Sequence, residues 1–162
     1  MRFTYCPKCS HALIKADLEG VPRVHCPHPG CGFVHYDNPT PVVAAIVQRD
    51  DDVILIQNKG WPGTWFGLVS GFLERKEDPA TAVLREVDEE LGFKAELQSL
   101  VGVYGFPEMN QVIMVYHVVV SGDVVMGDEL EAFKVVPISK LIPWQMGTGQ
   151  AVKDWLENYL NR

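Results

Sequence analysis

Apolar positions in the chain follow two rhythms. VVAAIV (42–47) and VILIQ (53–57) are unbroken, β-branched runs on either side of RDDD, and they predict two strands joined by a turn. WPGTWFGLVSG (61–71) predicts a Gly-rich loop with a short strand in it. The spacing then becomes helical: Ala80, Val83, Leu84, Val87 and Leu91 fall on one stripe. Asp78 before Pro79 makes a helix start, and Gly92 a helix stop. Further strands are predicted over 97–104, 111–121 and 133–136. A last helix over 149–160 would place Val152, Trp155, Leu156 and Tyr159 on one face. Strands interleaved with helices predict an α/β (α+β) sandwich occupying residues 40–162.

Residues 1–39 differ in texture. Short β-like runs, VPRVHC and GFVHY, alternate with Pro/Gly turns, and the apolar mass is too small for an independent core. A unit of this size needs a staple. All four cysteines (Cys6, Cys9, Cys26 and Cys31) and four of the five histidines lie here, which marks residues 1–39 as a separate module. YDNPTP reads as the linker, its prolines favouring extended backbone.

Composition narrows the function classes. An apolar fraction of 47% with 22% charged residues is that of a soluble globular protein. The formal net charge of −7 argues against a main role in gripping nucleic-acid backbone. The longest apolar runs fall far short of the roughly 20 residues of a membrane span, so no membrane partner is expected. The start, MRFTYCPKCS, has no apolar h-region, and the expected location is cytoplasmic.

The end of the 78–92 helix carries Glu86, Asp88, Glu89 and Glu90 within five positions. At 100° per residue Glu86 and Glu90 stand about 40° apart, with Glu89 about 60° to the other side, while Asp88 points elsewhere. Like charges at these spacings destabilise a helix, and acids at its C-terminal end oppose its dipole. Pairing of Arg85 with Glu89 would relieve part of this. Two readings remain open from the residues alone: a solvated acidic face, or a set of oxygen ligands for a hard divalent cation.

Gly71, five residues, Glu77, seven residues, then Arg85-Glu86-Val87-x-Glu89-Glu90-x-Gly92-Phe93 resembles the signature of the Nudix hydrolases at all nine defined positions. The resemblance implies a Nudix α/β/α sandwich with a mixed sheet. It implies Mg²⁺ or Mn²⁺ on Glu86, Glu89, Glu90 and the Gly71 carbonyl, with Glu77 pairing with Arg85 to orient these ligands. It also implies hydrolysis of a pyrophosphate linkage into two monophosphates. The general base would be Glu89 or a downstream acid, among Asp128, Glu129 and Glu131.

Cys6-x2-Cys9 followed by Cys26-x4-Cys31 resembles a zinc ribbon, which implies a structural Zn²⁺ on four thiolates. The second knuckle is two residues longer than usual, so either His28 replaces a cysteine or the loop bulges. Disulfides or free thiols are the alternative. A ribbon before a Nudix domain is similar to the arrangement in pyrophosphatases acting on NADH, FAD or ADP-ribose, and implies such a small nucleotide as partner. Where NADH pyrophosphatases have S-Q-P-W-P-F-P-x-S, this chain reads YGFPEMNQV. Pro107, fourteen residues beyond Phe93, resembles a marker of ADP-ribose pyrophosphatases.

Trp61, Trp65 and Phe66 are candidates to stack on a base or flavin, with core or rim packing as the alternative. Lys59 and Arg49 read as solvent-facing rather than phosphate-binding, and His117, Trp144 and Trp155 as packing residues. A binding adaptor centred on the ribbon is the competing class. Its 39 residues hold four Lys/Arg against three Asp/Glu, too balanced for strong RNA binding. An enzyme removing a nucleotide cap from RNA is a hybrid the residues leave open, as is a homodimer organised by the ribbon.

Overall fold

Ile14–Leu18 (β1), Val21–His25 (β2) and Val34–His35 (β3) form a three-stranded antiparallel sheet in a computed structural model that describes residues 3–160. The chain divides into two compact units, 1–38 and 39–162. The β1–β2 hairpin closes through Glu19 and Gly20, both at positive φ (59° and 81°). Two successive residues of this kind match the right-handed twist of the flanking strands. β1 was not expected from the sequence, although Ile14, Ala16 and Leu18 alternate with Lys15 and Asp17; the strand is short, and none of its residues is buried.

In the second unit Thr40–Arg49 (β4) is the centre of a six-stranded mixed sheet. Its neighbours are Asp52–Asn58 (β5), Val69–Phe72 (β6), Glu96–Phe106 (β7), Gln111–Val119 (β8) and Leu130–Pro137 (β9), in the order β7-β8-β4-β5-β9, with β6 also on β4. β4 and β8 are parallel and the other pairs antiparallel. Thr40 and Pro41, read as linker, already belong to β4, and the Thr40 N–H donates to the Asn110 carbonyl. The strands read as 97–104 and 133–136 extend further at each end, and the strand read as 111–121 stops at Val119.

The unbroken apolar run of β4 has a simple cause: both of its faces are covered. Val42, Ala44 and Ile46 pack in one cluster with Ala151, Val152 and Trp155 of the last helix, Gly149–Leu160 (α2). Val43, Ala45 and Val47 pack in the other with Ala82, Val83, Val87 and Leu91 of Pro79–Leu91 (α1). Sheet and helices thus form the α/β/α sandwich expected. His117 is a core histidine: its Nε2 lies 2.8 Å from Gln48 Oε1 and its ring packs on Trp155. No helix among the described residues is long and apolar enough to cross a membrane.

Candidate active site and metal centres

α1 is fixed at both ends by its own sequence. The Asp78 carboxylate accepts from the N–H groups of Ala80 and Thr81, and Gly92 closes the helix at φ 72° with its N–H on the Asp88 carbonyl. Burial of Val83, Val87 and Leu91 fixes the rotation of the helix about its axis. Glu86 is thereby brought over β6, where only a glycine fits. A Cβ on Gly71 would lie 2.0 Å from Glu86 Oε1, well inside van der Waals contact. Asp88, as expected, points away and pairs with Lys94.

Arg85 is the hub of the charged cluster. Its guanidinium grips Glu77 through Nε–Oε1 (2.8 Å) and Nη2–Oε2 (3.0 Å), the bidentate geometry that suits arginine. Nη1 reaches Glu86 Oε1 at 2.7 Å and Glu89 Oε2 at 2.9 Å, and Nη2 donates to the Phe72 carbonyl. The Arg85 guanidinium and the Glu74 N–H hold the Glu77 carboxyl down at about 2, so Glu77 remains an anion under any working condition.

Glu90 has no such support. It is 5% exposed, and its Oε2 is buried without a hydrogen-bond partner. Burial first, and then Glu86, Glu129 and Glu89, push its carboxyl up to about 8. Burial likewise raises Glu86, against the pull of Arg85. A second buried oxygen without a partner, Asn58 Oδ1, lies in the same cleft. That cleft has a volume of about 560 Å³ and is lined by Asn58, Gly71, Glu86, Glu89, Glu90 and Glu129, among others.

The far wall is the loop after β8, which is tied to α1 by two backbone hydrogen bonds and by the packing of Val124 on the α1-side core. Val125 N–H donates to Leu91 O and Gly127 N–H to Glu90 O. A Cβ on Gly127 would stand 2.2 Å from Glu89 O. This closeness brings Asp128 and Glu129 to the cleft, whereas Glu131 sits exposed on β9 and does not line it. Lys59 tethers the opposite loop to the same segment, its N–H on Glu129 O and its Nζ on Asp128 O.

Trp61, Trp65 and Phe66 do not line the acidic cleft. Phe66 packs against the α2-side core under Lys134, and the ring of Trp61 covers Gly67. Pro107 lines a separate hollow of about 760 Å³ between the end of β7 and the start of α2, with Phe106, Trp144 and Lys153. That hollow has no carboxylate cluster. The sequence reading missed Asn58, Ser70 and Gly127; a polar pair, Gln57-Asn58, ending an apolar strand was the available signal for the first.

The residues of the acidic cleft suit a hard divalent cation. The donors are oxygens, two of them (Glu90 Oε2 and Asn58 Oδ1) buried and unpartnered, and a glycine leaves room beside Glu86. Gly71→Ala would force the Glu86 carboxylate aside; we expect activity to fall about 10²-fold with little change in the thermal unfolding midpoint, as kinetics and a melting curve on one sample would show.

The sign of the pH effect follows from Glu90. Its folded value of about 8 exceeds the ordinary 4.5, so the metal-free fold loses stability as pH rises between these values, by on the order of 5 kcal/mol. A divalent cation held by the Glu90 carboxylate would offset this cost. The melting-temperature gain on adding Mg²⁺ is therefore expected to be larger at pH 8.5 than at pH 5.

The first unit gathers all four cysteines. Three Sγ pairs are 3.4–3.6 Å apart (Cys6–Cys31, Cys9–Cys26, Cys9–Cys31), far beyond a disulfide bond of about 2.0 Å. Zinc bonded to four sulfurs at about 2.3 Å needs S···S edges of about 3.8 Å, so this donor set fits zinc with small adjustment. Burial opposes ionising Cys6, but the N–H groups of Lys8 and Cys9 and the neighbouring thiols bring it to about 7. His28 does not join the sulfurs; it stands with His11 and Cys9. The longer knuckle is thus a bulge, not a ligand replacement.

The ADP-ribose pyrophosphatase of Methanocaldococcus jannaschii is 29% identical over 127 residues, 75% of each chain. The NAD-capped RNA hydrolase NudC of Pseudomonas aeruginosa is 28% identical over 141 residues, 86% of this chain, which spans about half the length of that relative. The crystal structure of a NUDIX hydrolase from Nitrosomonas europaea superposes with a TM-score of 0.82 at 25% identity, covering 98% of this chain and 93% of that one. The family model of the NUDIX domain matches residues 38–156. With the fold, the glutamate-bearing helix and the family match in agreement, the chain belongs to the NUDIX family of hydrolases.

Proposed function

We propose that the acidic cleft hydrolyses the pyrophosphate linkage of a nucleoside diphosphate joined to a second moiety, giving two monophosphates, with ADP-ribose as the first candidate and NAD(H) and FAD in the same class. The observation that carries this reading is Glu90, an acid buried in a cleft with an oxygen that has no hydrogen-bond partner among the described residues. Similarity over three quarters of both chains to the pyrophosphatase from M. jannaschii supports ADP-ribose. The NudC relative supports an NAD-linked substrate and, as a second reading, a nucleotide cap on RNA.

Glu86, Glu90 and the Gly71 carbonyl would hold Mg²⁺ or Mn²⁺, with Glu89 close by. When bound, such an ion neutralises the diphosphate and lowers the pKa of a coordinated water. The chain's own contributions are positional. Glu77 locks the Arg85 guanidinium, which in turn sets the carboxylates of Glu86 and Glu89. Glu89 has a side chain 58% exposed, against 13% for Glu86, so it meets solvent and serves as the proton acceptor for water. Asp128 and Glu129 face it from the other wall.

A zinc ion on Cys6, Cys9, Cys26 and Cys31 would staple residues 1–39, with residues 40–162 forming the catalytic domain. The decisive experiment is a substrate panel of ADP-ribose, NADH, NAD, FAD and NAD-capped RNA with Mg²⁺ or Mn²⁺ and mass identification of products. AMP with ribose 5-phosphate from ADP-ribose is expected. Release of no monophosphate from any member would end the proposal.

A further inference from the structure

We propose that the first unit carries a second metal site beside the four-cysteine centre, made of Cys9, His11 and His28, with Cys9 Sγ bridging two ions. This rests on the reading of the four thiolates as a zinc centre. One donor atom from each of the three residues falls within 4.8 Å of the others, and the two imidazole centroids are 4.1 Å apart. Tetrahedral zinc with nitrogen at about 2.0 Å and sulfur at about 2.3 Å spaces one sulfur and two nitrogens at about 3.3–3.5 Å. Both histidines are exposed, so their side chains can close the difference.

Three features of the chain support this arrangement. His11 Nδ1 lies 3.1 Å from the Cys9 carbonyl oxygen. A carbonyl can only accept, so in the neutral ring the proton stays on Nδ1 and Nε2 presents a lone pair, the tautomer that outer hydrogen bonds impose on metal-binding histidines. The longer second knuckle acquires a purpose: Cys31 N–H bonds to the His28 carbonyl across Pro29 and Gly30, and Gly30 takes φ 78°. This Pro-Gly turn holds His28 outside the sulfur cluster and on the side of Cys9. Finally, four thiolates around one Zn²⁺ leave a formal charge of −2, which a second divalent ion cancels. A thiolate with two imidazoles suits a borderline-soft ion such as Zn²⁺ or Co²⁺, and it leaves a fourth position for water.

The test is metal counting on the full chain. Metal-stripped, reduced protein carrying Glu86→Gln and Glu90→Gln, which weaken the competing carboxylate cleft, is titrated with Zn²⁺ in excess Mg²⁺. Two equivalents are expected, the second at least ten-fold weaker, with the ring ¹⁵N signals of His11 and His28 shifting only during the second. In His11→Ala/His28→Ala on the same background one tight equivalent is expected to remain. Saturation at one equivalent in the parent, or a second equivalent that survives the histidine changes, would overturn the bridged site alone. Failure to bind any tight zinc would overturn the four-thiolate reading and this site with it. Co²⁺ gives an independent readout: thiolate-to-cobalt absorption should rise steeply in the first equivalent and change again in the second, as Cys9 Sγ bonds a second ion, together with a new ligand-field band, and both second-equivalent changes should be lost in His11→Ala/His28→Ala.

Discussion

Glu90→Gln is expected to lower kcat/KM on ADP-ribose by about 10³-fold, or ~4 kcal/mol of transition-state stabilisation. Glutamine keeps the shape and packing of the side chain and removes only its ability to become an anion. If Glu90 were merely a protonated core group, the change would be close to silent. Its Oε2 has no partner and its carboxyl is pushed up to about 8, so in the metal-free fold the group costs stability above its ordinary range. The variant should therefore melt no lower than the parent at pH 8 without metal, while losing most of the Mg²⁺-induced gain in melting temperature. Lost activity with retained stability separates a metal ligand from a structural residue. Asp88→Asn is the control. Asp88 shares the acidic run but turns outward to Lys94, and its replacement should alter kcat/KM by less than about two-fold.

Removal of the proposed zinc ion is expected to give the second large effect, on the first unit. Among the described residues before 39, only Cys6 and Cys26 are buried in the apolar sense; Phe3, Tyr5, Ile14, Val21 and Tyr36 are exposed. Such a unit has almost no core, while structural zinc contributes on the order of 10 kcal/mol of folding free energy. Chelation under reducing conditions, or Cys26→Ser, is thus expected to abolish amide protection in β1–β3. The amides of β4, in which Val43, Ala45 and Val47 are fully buried under α1, should keep theirs. Hydrogen exchange read by mass spectrometry resolves the two units in one sample. Protection of β1–β3 unchanged by chelator would count against a zinc staple.

Much of the site was legible because its signals are local. Asp78, Pro79 and Gly92 bound α1 within one residue of its observed ends, and the apolar stripe between them set which face carries the acids. The pairing of Glu77 with Arg85 is eight residues apart in sequence and came through the signature. What the sequence did not disclose is made by backbone and by distant register. The loop holding Asp128 and Glu129 docks on α1 through Val125 and Gly127 N–H groups, contacts that leave no side-chain signature except the glycine itself. That docking admits Glu129 to the cleft and leaves Glu131 on β9. β4 and β8 pair in parallel across more than sixty residues, a relation no local pattern encodes. The aromatic candidates are near the box in sequence, yet Trp61, Trp65 and Phe66 do not line the acidic cleft, and Phe66 turns to the opposite core. Proximity along the chain was a poor guide to which wall a side chain would line.

Anomalous scattering at the manganese edge, from crystals of the full chain equilibrated with Mn²⁺ and a non-hydrolysable ADP-ribose analogue, addresses the metal directly. A peak within bonding distance of the Glu86 and Glu90 carboxylates, bridging them to the diphosphate, is the expected result. Ordered analogue with no peak there, or with manganese held only at surface acids such as Asp88, would contradict it.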